Sequence, residues 1–593
     1  MNPVKSRNFT LIWLIFIIPL LSYLLLKKTF NLALYGDDWL QLYNLWLSFD
    51  VNKTLSFFDI KSYLGSYWPQ YFFLGIIRHF FGYEAPAYFA VSLVLRILAT
   101  ISLFFLSYKL SKSQLAAFIA TLIFTFSVAG LQTTDWVFNM NTYAGIIFLN
   151  LAIVFYLKIR QLNSFFSWYY LVFTVFFTLA LVVVPVRMHG AIIFILASEI
   201  FLYIFLDKKN VFKIDKFLIS RIVLPLMIML MLVKAGSFVL GGEFPQLQTN
   251  FIYLQSMVQG GRYDILFYFL GTIGNFALPD TINTSIFSAH LLPLVIFFTT
   301  LGLIISLVLR GNKLMYGLVI FFNILGAIIG KLLILWNPAL SFSNIFSISL
   351  GFQTFFLSFL IFHHTQKTYP RLATSIMIGL FWIISFSLLY FLRTRFLIIE
   401  STSRYMTLGA VGFSLLFASI LSLMFKNLIS RLVKPSLAII PLILIVSWFG
   451  INFKETNSYL THLEMNRNLA LADKTWDALR RNVPKLDQNE PSVFYFTYDN
   501  STAANMVLIF GFWPHAGLAY SISDWENTPL PTESYPELLE MVKTGEPLKK
   551  IHARKAIPVP LSKVFAFDFR NGELINITGA VRQKISQDLS LTR

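Results

Sequence analysis

The feature that most constrains this chain is a run of about 20 apolar residues, repeated along it. That length carries a helix across a hydrocarbon core of ~30 Å. Runs of this kind occupy residues 9–26, 86–108, 115–132, 142–157, 166–186, 190–206, 219–239, 289–309, 314–335, 344–362, 373–392, 406–425 and 436–452 of the 593. With 56% hydrophobic and only 13% charged residues, the chain lacks the charge that coats soluble domains, where about 25% is usual. It has no cysteine, which removes disulfide frameworks and thiolate metal or redox chemistry. The expected fold class is therefore an α-helical polytopic membrane protein with about 13 transmembrane helices.

The formal net charge of +18 would suggest a nucleic-acid partner on a soluble protein. Its distribution removes that reading. With the N-terminus in the cytoplasm, the loops on that side carry Lys109, Lys112, Lys158, Arg160, Lys208, Lys209, Arg310, Lys313, Lys367, Arg371 and Lys426, against two acids, Asp207 and Asp215. This is the positive-inside pattern. The first span follows a short basic start without a small-residue cleavage site and reads as a retained anchor. From residue 453 onward sixteen basic and sixteen acidic residues balance, and no further span appears.

That tail reads as a small α/β domain on the extracytoplasmic face. A helical stretch near Lys474–Arg480 precedes an alternating run, Val493–Tyr498. Two more runs flank Asn571-Gly572, a strong hairpin signal. The expected division is a membrane module, 1–452, and a soluble domain, 453–593. The first outer loop, about 27–85, should carry helices lying in the interface plane, since Trp39–Leu47 and Trp68–Phe81 are amphipathic and aromatic-rich.

Acids beside membrane spans are either solvated or functional. Asp37 and Asp38 stand in Tyr35-Gly-Asp-Asp-Trp39, about ten residues beyond the first span, where a helix N-cap is the ordinary alternative. Asp135 stands in Gln132-Thr-Thr-Asp-Trp136 at the outer end of the third span. Arg187 and His189 occupy a turn between two spans. Arg393, Arg395, Arg404 and Tyr405 lie in the loop before the twelfth, where snorkelling is the ordinary alternative for the arginines. Arg96 and Lys331 lie inside spans and should face the bundle, paired with something such as Glu199.

The order of these elements resembles the GT-C class of integral membrane glycosyltransferases, which includes the protein O-mannosyltransferases and the bacterial aminoarabinose transferases. The resemblance rests on Asp37-Asp38, Tyr67-Trp-Pro-Gln70, Phe81-Gly-Tyr-Glu-Ala-Pro-Ala-Tyr88, Gln132-Thr-Thr-Asp-Trp136 and Glu400-Ser-Thr-Ser-Arg-Tyr405, spread over about 1–450. The mannosyltransferases carry Asp-Glu where this chain has Asp-Asp. Many relatives carry a Lys-Glu or similar pair where Arg187 and His189 stand here.

The resemblance implies a polyprenyl-phosphate sugar donor and a lipid, glycan or protein acceptor at the outer face. It implies Asp37, or else Asp38, as general base, with Asp135 orienting the acceptor. Arg404 and Tyr405, with Arg187, His189, Arg393 and Arg395, would hold the lipid phosphate. It leaves a divalent metal open, with no other cofactor. Membrane lipids are the remaining partners. A lipid-linked saccharide flippase is a competing class, for which inverted repeats would be diagnostic. A non-catalytic scaffold indifferent to Asp37 is another, and a polysaccharide polymerase or ligase is an enzymatic alternative.

Overall fold

A computed structural model describes residues 9–53, 68–162, 167–207, 216–235, 244–281, 291–429, 439–547 and 555–591. Among them eight helices are long and apolar enough to cross a membrane: Phe9–Asn31, Ala85–Ser111, Val137–Ile159, Lys313–Trp336, Phe342–Thr365, Pro370–Arg393, Arg404–Asn427 and Ile439–Asn466. The other five expected spans coincide with apolar helices of 10–17 residues. The chain is an integral membrane protein by the length and composition of these helices. Its contacts divide it into two compact units. One comprises Met1–Leu26, Ser92–Thr134 and Asn139–Asn457, the other Lys27–Val91, Asp135–Phe138 and Ser458–Arg593. The second unit thus gathers the first loop, the tip of the Asp135 turn and the tail.

In the first unit, small residues set how closely helices approach. Gly379 and Gly412 face each other across the helices Pro370–Arg393 and Thr407–Ile429. A Cβ on Gly379 would stand 2.6 Å from the Gly412 carbonyl oxygen. Trp382, wholly buried, donates from Nε1 to the Leu408 carbonyl at 2.7 Å.

Buried charge in this unit is satisfied differently from the sequence-based expectation. Arg96 does not pair with Glu199. Its guanidinium donates to the carbonyls of Phe124, Thr125 and Ser127 at 3.4, 3.3 and 3.2 Å, and to Thr134 Oγ1 and Tyr143 Oη. The helix Gln114–Phe126 ends there, so Arg96 supplies donors to carbonyls that a helix C-terminus leaves open. Glu199 instead pairs with Arg160 and Arg221 and accepts from Tyr156 Oη at 2.7 Å. Lys331 is exposed rather than buried in the bundle.

In the second unit both amphipathic segments are helical, over Asp37–Trp46 and Trp68–Phe81. The tail forms a four-stranded sheet of order β2-β1-β3-β4, with β1 Val493–Tyr498, β2 Leu530–Thr532, β3 Val564–Arg570 and β4 Glu573–Asn576. The strand β1 runs parallel to β2 and β3, and β3 pairs antiparallel with β4. Asn571 and Gly572 both have positive φ, 49° and 74°, as a two-residue primed hairpin turn requires. Side-chain alternation separates two cores. Phe494, Phe496, Phe567 and Phe569 pack with Trp476, Leu479 and Phe512. Val493, Val564 and Ala566 pack with Leu538, Met541 and Ile585.

Candidate functional site

The site lies in the second unit, where the segment Ala33–Trp39 meets residues 135–138 and the helix end at Arg467. The Ala33 N–H donates to the Arg467 carbonyl at 2.9 Å. Gly36 then turns the chain with φ +55°, and a Cβ there would collide with the Phe510 ring. Only glycine takes this conformation at this packing distance. Gly36 is also the cap residue of the helix Asp37–Trp46, so both aspartates fall in its first turn, where the helix dipole favours negative charge.

The two carboxylates are not equivalent. Asp38 is fully buried. Its Oδ2 accepts from the Tyr35 N–H at 3.1 Å and its Oδ1 from the Phe138 N–H at 2.8 Å. It therefore ties the first loop to the 135–138 turn, a hundred residues away in sequence. Burial pushes its carboxyl up to about 7, while the two N–H donors and Arg467 pull it down. Asp37, beside it, is half-buried.

Asp135 is 3% exposed. It accepts from Tyr459 Oη at 3.4 and 3.3 Å, and Arg467 Nη2 donates to its carbonyl at 2.8 Å and lies 3.5 Å from Oδ2. Burial raises this carboxyl to about 6, with Arg467 the main opposing influence. Tyr35 joins the two halves. Its ring lies 5.2 Å from the Arg467 guanidinium carbon, 5.5 Å from the Trp136 ring and 4.9 Å from the Phe510 ring. Burial raises its hydroxyl, and the charges acting on it are Arg467, Asp37, Asp135 and Asp38.

The structure thus brings Asp37, Asp38 and Asp135 around Tyr35. The arginines named from sequence belong to the first unit. The Arg404 guanidinium carbon stands 5.2 Å from the ring of Tyr405, which packs on Tyr390. The Arg404 N–H donates to Gln132 Oε1 at 3.2 Å, and the Gly130 and Gln132 N–H groups donate to the carbonyls of Ser401 and Thr402. This fastens the 401–407 loop to the 130–134 segment. Arg393 ends a helix and is half-buried, while Arg395 is exposed with φ +55°. Arg187 and His189 fall within the first five residues of the helix Pro185–Phe201, and their side chains lie outside the described residues.

Sequence reasoning missed Arg467 and Tyr459. Hydropathy ends the last span at residue 452, yet the helix runs Ile439–Asn466 and delivers both to Asp135. The available signal was Asn466-Arg-Asn468, a cation between two amides at a helix end. Among the described residues no group of three or more His, Asp or Glu could hold a metal ion. Asp38 is committed to backbone donors and Asp135 to Arg467 and Tyr459, so these acids do not fit a metal-ligand set.

No protein-family model and no curated protein matches the chain. Among solved structures it is similar to the Archaeoglobus fulgidus oligosaccharyltransferase in complex with Zn and sulfate. The identity is 14%, with 94% of this chain and 67% of that chain covered and a TM-score of 0.48. It is equally similar to the archaeal oligosaccharyltransferase AglB from Archaeoglobus fulgidus in complex with an inhibitory peptide and a dolichol-phosphate, at 14% identity, 95% and 69% coverage and a TM-score of 0.48. At this score and identity the likeness establishes neither a common fold nor a common activity.

Proposed function

We propose that this chain is a membrane glycosyltransferase of the GT-C type, moving a sugar from a polyprenyl-phosphate donor to an acceptor at the extracytoplasmic face. The N-terminus would be cytoplasmic and the tail domain outside. The observation that carries the reading is the gathering of Asp37, Asp38 and Asp135 around Tyr35 and Arg467 in the unit that also contains the tail. The family resemblance rests on the order of its elements, of which the acid pair in the first loop is one.

In this reading Asp37 takes the proton from the acceptor hydroxyl as it attacks the anomeric carbon. Asp37 is half-buried, whereas both oxygens of Asp38 accept backbone N–H groups. Asp38 therefore serves by fixing the turn that presents Asp37, and Asp135 helps to orient the acceptor. A single displacement inverts the anomeric centre and leaves the lipid phosphate with the extra negative charge. Arg404 with Tyr405, and in second place Arg187, His189, Arg393 and Arg395, are the groups proposed to stabilise it.

The test is sugar transfer from radiolabelled polyprenyl-phosphate sugars by the purified chain and its Asp37→Asn and Asp38→Asn variants. Loss of turnover by at least a hundredfold in Asp37→Asn, with the donor still bound, is expected. Normal turnover in Asp37→Asn overturns the assignment, whatever Asp38→Asn does.

A further inference from the structure

A cavity of about 310 Å³ opens in the second unit beside this site, lined in part by Ala33, Leu34 and Trp39. The same short segment that carries Asp37 and Asp38 therefore forms its wall. From its composition we propose that this cavity binds a pyranose saccharide.

Its aromatic side is built around His515. The His515 ring stacks on Trp39 at 3.6 Å and lies 3.7 Å from Trp476. Trp39 Nε1 donates to the Leu34 carbonyl at 3.1 Å, which fixes the indole. The Tyr83 ring stands 6.5 Å from Trp39. An aromatic face is electron-rich and apolar, which suits the C–H face of a sugar ring.

The polar side comes from one helix face. On the helix Leu469–Asn482, Asp473, Trp476, Asp477 and Arg480 follow at i, i+3, i+4 and i+7, and all four line the cavity. Among the described residues Asp473, Asp477 and Arg480 make no side-chain hydrogen bond or ion pair, and no protein group bonds the ring nitrogens of His515. Partial desolvation at the cavity wall, together with the nearby Asp477 and Glu84, raises the Asp473 carboxyl. Burial between the indoles drives His515 well below its usual range, so its neutral ring offers one donor and one acceptor.

Sugar hydroxyls both donate and accept, and they need this mixture. A phosphate would meet two aspartates, a simple cation would meet Arg480, and a lipid chain would leave the three charges without partners. The volume lies at the lower end for a small-ligand pocket, about 300–1,000 Å³, which suits a single sugar residue. That the bound sugar is the acceptor rests on the transferase reading; its binding does not.

The experiment is saturation-transfer difference NMR on the full chain in detergent. The probes are methyl glycosides of glucose, mannose, galactose and N-acetylglucosamine, with glucosamine added, and no lipid donor is present. Saturation of ring C–H protons is expected for at least one probe. It should weaken at least tenfold in apparent Kd in the doubly substituted Asp473→Asn, Asp477→Asn variant, and also in His515→Phe, which keeps the stacking and removes the nitrogens. The two aspartates are exposed, so the double variant should keep the wild-type melting temperature even where His515→Phe does not. No saturation by any probe, or saturation unchanged in the double variant, overturns the proposal. Because no donor is present, the transferase reading can fail while this one stands, and conversely.

Discussion

Asp38→Asn is the substitution whose effect the geometry fixes most sharply, because two opposing terms act on the same atoms. The carboxyl oxygens accept from Phe138 N at 2.8 Å and Tyr35 N at 3.1 Å. An amide presents one oxygen and one N–H₂, so one backbone donor would face another donor. A buried unsatisfied group of that kind costs about 1–3 kcal/mol. Against this stands the burial of the charge. A carboxyl raised from 3.8 to about 7 is worth roughly 4 kcal/mol across its titration. Between these two values the folded chain holds a proton that the unfolded chain has released, so its stability falls as pH rises through that window and is level above it. Asn has no such proton, and Asp135 titrates in both proteins and cancels. The variant should therefore be less stable than the wild type near pH 4 and at least as stable at pH 8, with a crossing between. Tryptophan-monitored thermal unfolding in detergent would show it, at ~2–4 °C per kcal/mol for a unit of this size. Parallel curves offset by a constant amount would refute the reasoning, for Asp38 would then be ionised throughout and governed by its N–H donors.

Gly36→Ala combines a positive φ with a collision on Phe510. It should lower the melting temperature well beyond Gly82→Ala, which has φ +60° and open space and so should show the backbone strain alone, about 1–3 kcal/mol. Arg96→Met removes donors from the carbonyls of Phe124, Thr125 and Ser127. A loss of about 1–3 kcal/mol is expected, the cost of leaving buried carbonyls without a donor. Faster amide exchange around residues 121–131 should accompany it, and unchanged exchange there would count against the capping role.

The parts legible in sequence are those that depend on local pattern. Apolar runs marked the helices, alternation marked Val493–Tyr498 and Val564–Arg570, and Asn571-Gly572 marked the hairpin. The five shorter helices differ from the expected spans because hydropathy measures apolarity and not where a helix ends. The run 115–132 is predominantly apolar, yet its helix stops at Phe126, where Arg96 takes up the freed carbonyls. Pairings were not legible, since Glu199 was matched with Arg96 by depth alone and its partners proved to be Arg160 and Arg221. Arg467 was hidden for the same reason. One arginine among sixteen basic residues of the tail acquires meaning only when the chain brings Asp135 to it.

The Asp-Asp pair shows what adjacency can and cannot say. Consecutive helical residues point about 100° apart, so two aspartates in one first turn cannot share an environment. One turned inward, and its burial was tolerable because Tyr35 and Phe138 each had a backbone N–H to give. The other remained half-buried. It follows that the two substitutions are unequal instruments. Asp38→Asn perturbs the junction between loop and turn, and any loss of transfer it causes mixes fold with chemistry. Asp37→Asn leaves those two hydrogen bonds untouched. The proton-transfer hypothesis therefore stands or falls on Asp37, and a variant of Asp38 that lost turnover only below its stability crossing would speak for position and not for catalysis.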